Sequence, residues 1–258
     1  MREKVILCFF GTISRSIKYT YNNHIENIIN VVNKMYDVDI YVFNNNVEKK
    51  TIDGIKQNND DVKLINSNYF EEEKQTFIDN TIIQKLNEEK INPVMRYDYN
   101  KEMILNAIRQ MYSEEKVGIF LEKHINDYKC AIVCNPDIYL INEINLNHIN
   151  DCIHNNSIVY TTNVNDAQGY TNGFYIGSLI PLIKILKRFY ILHYLLPTNK
   201  DYEYLLMKVF NLHKITRLIT NTDFFKIRSN KNIARQGKMK NSNYDKIVQN
   251  IQKIINDM

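Results

Sequence analysis

An apolar run from Ala131 to Cys134 is closed by Asn135-Pro136-Asp137 and followed by Ile138-Tyr139-Leu140. The run has the length of a buried strand, and proline cannot continue a β-ladder. The segment therefore predicts a strand reaching Asp137, with that carboxylate at its exposed end. A carboxylate with a carboxamide two residues earlier, Asn135, presents oxygen ligands to a hard divalent cation. Holding Mn²⁺ or Mg²⁺ against a diphosphate requires such a set. The alternative for the same residues is a turn after a core strand, with Asp137 bonding its own backbone.

Other residues supply complementary chemistry. Phe10-Gly11-Thr12-Ile13-Ser14-Arg15 offers a close-approach glycine, hydroxyls and a guanidinium at a strand edge, groups that suit a phosphate or nucleotide. The segment is neither a Walker loop nor GxGxxG, and an ordinary turn leading into a helix uses the same residues. Arg96-Tyr97-Asp98 pairs a charge-assisted donor with a flat ring, or else begins a helix with Asp98 as cap. Two carboxylates stand out as general bases. Glu203 falls in the first turn of a helix after Pro197-Thr198-Asn199, and Asp166 falls in a loop able to close over a substrate. The six histidines form no HxxxH or HExxH pair and there is no GxSxG elbow, which weighs against zinc hydrolases and serine hydrolases.

These groups need a scaffold, and the apolar spacing describes one. Val5–Phe10 reads as a strand, Tyr21–Tyr36 as a helix with Ile25, Ile28, Ile29, Val32 and Met35 on one face, and Val38–Phe43 as a second strand. A right-handed βαβ crossover makes the two strands parallel and puts Gly11–Ser16 at the carboxyl edge of the sheet, where open α/β folds bind ligands. Val62–Ile65 is expected as a short third strand and Phe70–Lys90 as a polar helix. A longer helix after Pro93 carries Met103, Ile104, Ala107, Ile108 and Met111 and continues towards Leu121 and Ile125. Ser157–Thr162 and Phe174–Gly177 read as strands around a polar loop that contains Gln168, Gly169, Asn172 and Gly173. A helix from Pro181 to about Leu196, a second near Asp201 and an amphipathic one over Tyr244–Ile255 follow. The expected fold class is α/β, with a mostly parallel central sheet flanked by helices.

At 258 residues and 44% apolar content, the chain can bury a full core as one domain, or one domain with a small appendage. The net charge of +4 is spread among Glu and Asp, so no nucleic-acid partner is expected. The basic segment from Lys226 to Lys240 leaves a nucleic-acid or anionic-surface binder as an alternative. Four cysteines without CxxC spacing read as reduced core residues. No apolar stretch approaches the roughly 18 residues of a membrane span and no signal-peptide pattern opens the chain, so the expected location is cytoplasmic. The 18 tyrosines provide rings able to stack on a base or sugar.

Taken in order, these pieces resemble the small GT-A-type glycosyltransferases found in giant DNA viruses and some bacteria. The Gly-x-x-Arg-like opening loop at Gly11–Arg15, Asp37–Val42, the degenerate DxD at Asn135-Pro136-Asp137 and the Gly169–Ser178 segment carry the resemblance. So do Glu203-Tyr204-Leu205-Leu206 and Phe225-Lys226-Ile227-Arg228, and the match spans roughly residues 4 to 228. The resemblance implies a single GT-A-like domain over 1–228, nucleotide-binding to about 140 and acceptor-binding beyond. Residues 229–258 are left as a basic segment and terminal helix.

The activity implied is sugar transfer from a nucleotide-diphosphate sugar, a UDP-sugar first among them, to a glycan, lipid or protein acceptor. Gly11, Thr12, Arg15, Arg96, Tyr97, Asn135, Asp137, Asn172 and Gly173 would form the donor site, Asp137 and Asn135 would hold the metal, and Glu203 or Asp166 would act as base. The location implied is the cytoplasm of an infected cell. Asn135 in place of an acid leaves one charged metal ligand, so a catalytically silent nucleotide- or glycan-binding relative is the other alternative.

Overall fold

The computed structural model describes residues 2–47, 51–164, 169–234 and 244–257. Twelve strands are present among them. In chain order they are β1 (Lys4–Gly11), β2 (Asp37–Asn46), β3 (Thr51–Ile52), β4 (Ile55–Lys56), β5 (Tyr69–Lys74), β6 (Cys130–Cys134), β7 (Ile138–Leu140), β8 (Ile158–Thr161), β9 (Phe174–Gly177), β10 (Thr216–Ile219), β11 (Phe224–Ile227) and β12 (Ile233–Ala234). A seven-stranded sheet has the order β10-β8-β9-β6-β1-β2-β5. All its neighbours are parallel except β9, which runs against both β6 and β8. The chain is thus an α/β protein with a mostly parallel sheet flanked by helices.

The continuous apolar run of β1 has this burial as its cause. Ile6, Cys8 and Phe10 face one core with the helices Lys101–Lys123, Leu179–Leu186 and Tyr202–Leu212. Val5, Leu7 and Phe9 face the opposite core, with the helices Ile17–His24 and Leu146–His154. A strand covered on both faces has no polar side to alternate with. The first helix continues through a π-helical turn, Ile25–Ile29, into Asn30–Val32, and buries Ile17, Ile28, Val31 and Val32. All four cysteines are buried and free, and among the described residues no helix is long and apolar enough to cross a membrane.

Several expectations are corrected. Val62–Ile65 lies in a 3₁₀ helix, Asn59–Leu64, and its end, rather than forming a strand. The strand next to β2 is instead β5, at the start of the segment read as a polar helix, and the helix begins only at Gln75. Tyr-Phe-Glu-Glu-Glu-Lys lacks apolar alternation because β5 is an exposed edge, where charges discourage further pairing. The strand expected to reach Asp137 stops at Cys134, because Asn135–Asp137 leaves the main sheet for β7 in a separate three-stranded sheet, β12-β11-β7. The long helix starts after Asn100, whose Oδ1 accepts the Met103 amide at 2.9 Å, and ends before Ile125. The Pro181–Leu196 helix begins at Leu179 and is interrupted by a 3₁₀ segment, Lys187–Ile191.

Candidate active site

Because the parallel strands share a direction, β1, β2 and β6 all deliver their carboxyl ends to one edge of the sheet. The antiparallel β9 delivers its amino end to the same edge. A cleft of about 720 Å³ opens there. One wall holds Gly11, Thr12 and Arg15 after β1, Asn45 of β2, and Asn135-Pro136-Asp137 after β6. Another holds Asn172 before β9 and Tyr202 and Glu203 at a helix start, while Lys226 and Arg228 come from the end of β11. The polar face of the long helix, including Asn106, Gln110 and Ser113, lines the remainder. Gly11 has φ +96, and a Cβ there would meet nothing within 4 Å, so backbone conformation rather than space calls for glycine.

The Asn135–Asp137 turn is held from behind by the first helix. Thr20 Oγ1 donates to the Pro136 carbonyl at 2.6 Å, His24 Nε2 to the Ile138 carbonyl at 2.6 Å, and Asn23 Nδ2 to the Leu140 carbonyl at 2.9 Å. Burial lowers the His24 pKa to about 4, which keeps the ring neutral with its proton on the bonded nitrogen. The Asn135 amide donates to the Gly173 carbonyl at 2.7 Å and the Ile227 amide to the Asp137 carbonyl at 2.7 Å, joining three elements at the turn. Gly173 has φ +88, and a Cβ on it would fall 2.4 Å from Asn135 Nδ2. Asp137 is 7% exposed, its Oδ1 is buried without a hydrogen-bond partner, and its Oδ2 lies 3.9 Å from Arg228 Nη1. A buried, unsatisfied carboxylate oxygen is satisfied by a cation, so Asp137 with the Asn135 amide fits a metal in part. Among the described residues, no group of three or more His, Cys, Asp or Glu is placed to hold one.

Across the cleft, Glu203 Oε1 accepts from Asn172 Nδ2 at 3.0 Å. Burial raises the Glu203 pKa above its usual 4.5, while Lys226 and the Asn172 bond oppose the shift. Lys226 also lies within electrostatic reach of Cys134, at the other end of the site. The Gly169 backbone packs so closely on this helix start that a Cβ would fall 2.1 Å from the Glu203 carbonyl group, and the Tyr170 amide donates to the Glu203 carbonyl at 3.0 Å. Arg15 faces the cleft but is paired with Asp53 of the turn between β3 and β4, at 3.0 Å. Ser229 Oγ donates to the same carboxylate at 3.0 Å. Asp53 is lowered in pKa overall: burial pushes it up, and Arg15 and Ser229 outweigh burial.

The fold therefore brings together Gly11, Thr12, Arg15, Asn135, Asp137, Asn172 and Glu203, with Gly173 supporting Asn135 from beneath. It does not bring in Arg96 or Tyr97. Arg96 bonds Asp98 at 2.5 Å and Asp201, the N-cap of the Glu203 helix, at 2.9 Å, and Tyr97 is 96% exposed. Arg96 braces the start of the Glu203 helix without itself lining the cleft, and Tyr97 faces solvent. Asp166 lies outside the described residues. Sequence reasoning placed Lys226 and Arg228 in a basic segment and in the Phe225–Arg228 motif of the resemblance but gave neither a role in the site, although their alternation with buried Phe225 and Ile227 marks one face of a strand. It also missed Asn45, which is 4% exposed with an unpartnered Oδ1, and Gln110, which lies one helical turn from Asn106 on the cleft-facing stripe of the long helix.

No family model and no curated protein sequence matches the chain. Among solved structures, it is similar to mouse xyloside xylosyltransferase 1 in its apo form, with a TM-score of 0.45, 6% sequence identity and 84% of each chain covered.

Proposed function

We propose that this chain is a glycosyltransferase that moves a sugar from a nucleotide-diphosphate donor to a glycan, lipid or protein acceptor. One observation carries the reading. A single cleft at the carboxyl edge of the sheet holds a buried carboxylate oxygen without a partner, Asp137 Oδ1, together with two cations, Lys226 and Arg228, and a second carboxylate of raised pKa, Glu203. Breaking the bond between a sugar and a diphosphate requires the leaving group's charge to be neutralised, and Lys226 and Arg228, in the cleft beside Asp137, would supply that neutralisation. Asp137 and Asn135 would hold Mn²⁺ or Mg²⁺, with the diphosphate and water completing its shell, and the ion would supply further neutralisation. Glu203 takes the proton of the acceptor hydroxyl as the new glycosidic bond forms. Gly11 and Thr12 approach the donor with backbone and hydroxyl, and the Asn45 oxygen accepts a base N–H. Uracil N3–H is the first candidate, so UDP-sugars are the first donors to test. Residues to about 140, joined by Lys226 and Arg228, supply the donor half and the residues between them the acceptor half.

A catalytically silent binder is favoured by one observation, the lone charged metal ligand. Incubation with a panel of radiolabelled UDP- and GDP-sugars and Mn²⁺ separates the two. Release of free nucleoside diphosphate or transfer to an added glycan, abolished in Asp137→Ala, is expected. Donor binding without turnover by any donor would assign the chain to the binders.

A further inference from the structure

Gln110 lines the cleft and Glu114 and Arg188 lie buried behind it, and none of the three takes part in the chemistry above. Glu114 and Arg188 are fully buried and paired through Oε2 and Nη1, and Arg188 also donates to the Tyr202 hydroxyl. A guanidinium stays protonated, and a buried charge without a counter-charge is strongly destabilising, so Glu114 is held as the carboxylate. An ionised carboxylate only accepts hydrogen bonds. Glu114 Oε1 accordingly accepts from Tyr175 Oη at 3.3 Å and from Gln110 Nε2 at 3.0 Å. The Gln110 amino group must face Glu114, and its other hydrogen is directed at Asn172 Oδ1, 3.1 Å away. With that oxygen engaged, Asn172 is left with Nδ2 to offer Glu203 Oε1, and the 3.0 Å contact is that bond. The charge of one ion pair thus dictates the direction of every bond up to the cleft.

We propose that Gln110 and Asn172 are positioning residues for Glu203. They carry the fixed polarity of the Glu114–Arg188 pair to the cleft as an obligatory donor on Glu203 Oε1, which favours the carboxylate and leaves Oε2 to take the acceptor's proton. The same ion pair grips Tyr202, the residue before Glu203, and so steadies the backbone of the base as well. The other charged or titratable groups around Glu203 are Lys226 of β11, Asp201 at the start of its helix and Tyr99 ahead of the long helix. Lys226 favours the charged form and Asp201 opposes it. The proposal rests on the reading of Glu203 as the base.

The test is Gln110→Met, which keeps side-chain length and helix propensity but removes both donors. Glu203 is followed by ¹³C-glutamate NMR as the carboxylate signal missing from Glu203→Gln. In Gln110→Met that signal is expected to titrate about one pH unit higher, a tenfold change in the proton equilibrium. The acid limb of kcat should move with it, and donor KM should not change. Asn172→Asp, which sets an acceptor against Glu203, should move the signal the same way. A titration unmoved in both folded variants overturns the proposal, since a packing role alters Tm and not the proton equilibrium of Glu203. Full turnover in Glu203→Gln alongside a shifted titration would remove the base role and leave the relay standing. Lost turnover in Glu203→Gln with an unmoved titration would do the reverse.

Discussion

Asp137, Glu203 and Gly173 each carry a separate consequence at the level of single residues. Asp137→Asn keeps the volume and the backbone bond from the Ile227 amide, so Tm should hold within a few degrees while metal-dependent turnover falls about a hundredfold or more, the scale on which removing one charge-stabilising group acts. Comparing kcat with and without added Mn²⁺ checks it, and unchanged turnover would return Asp137 to the role of a turn residue. Glu203 has its pKa raised by burial, so its basic form is lost as pH falls through a value above 4.5. The acid limb of kcat/KM should therefore lie above the ordinary carboxylate range and vanish in Glu203→Gln. Gly173→Ala meets two obstacles, a φ of +88 and Asn135 Nδ2 at 2.4 Å. The conformation alone costs about 1 kcal/mol, and the displaced Asn135 should weaken Mn²⁺ binding in calorimetry.

At the scale of elements, the first helix acts as a brace for the Asn135–Asp137 turn, and His24 is the pH-sensitive part of it. Its folded pKa of about 4 lies below the unfolded value of 6.5, so the unfolded chain takes up the proton first as pH falls. Stability is complete above 6.5 and lost between there and 4, by about 3 kcal/mol for this buried ring. His24→Gln, which retains a donor for the Ile138 carbonyl, should flatten that part of a urea-denaturation pH series. A slope identical to wild type would show that other groups titrate in its place. The long helix performs a comparable task across the cleft, presenting Asn106, Gln110 and Ser113 inward while Met111, Val117 and Leu121 bury its other face.

For the whole molecule, the site depends on two sheets meeting at one edge. The main sheet supplies Gly11, Asn45 and, just past β6, Asn135, and the small sheet brings Lys226 and Arg228 alongside Asp137. The helix Tyr244–Asp257 supports the small sheet by burying Ile251 and Ile255 against Tyr19, Phe225 and Ile227. Ending the chain after residue 234 removes both isoleucines, a loss of about 3 kcal/mol or more. Tm should fall, and donor affinity should fall with it because the strand under Lys226 loses its backing. A truncated protein with unaltered UDP affinity would separate the helix from the site.

Some of this was written locally in the chain. The run Val5–Phe10, the 3.6-residue spacing of Ile25 to Val32 and the strand Val38–Phe43 sufficed for a βαβ unit, hence for a parallel pair with Gly11–Arg15 at its carboxyl edge. Likewise, Asn135-Pro136-Asp137 marked the end of a buried strand, and Glu203 a helix start. Those features follow from short-range sterics and from periodic burial, both of which act within a few residues. The edge strand β5 was hidden because an exposed edge needs no apolar pattern, the short strands β10 and β11 because their partners β8 and β7 lie far away in sequence, and β12 because two residues are too few to show a period. Arg96 and Tyr97 had suitable chemistry in the wrong place. Only the tertiary structure set Lys226 and Arg228 beside Asp137, and joined Glu114 to Glu203 through Gln110 and Asn172, because a cleft is made of contacts between residues distant in the chain, such as Asp53 and Ser229, whose meeting no local pattern encodes.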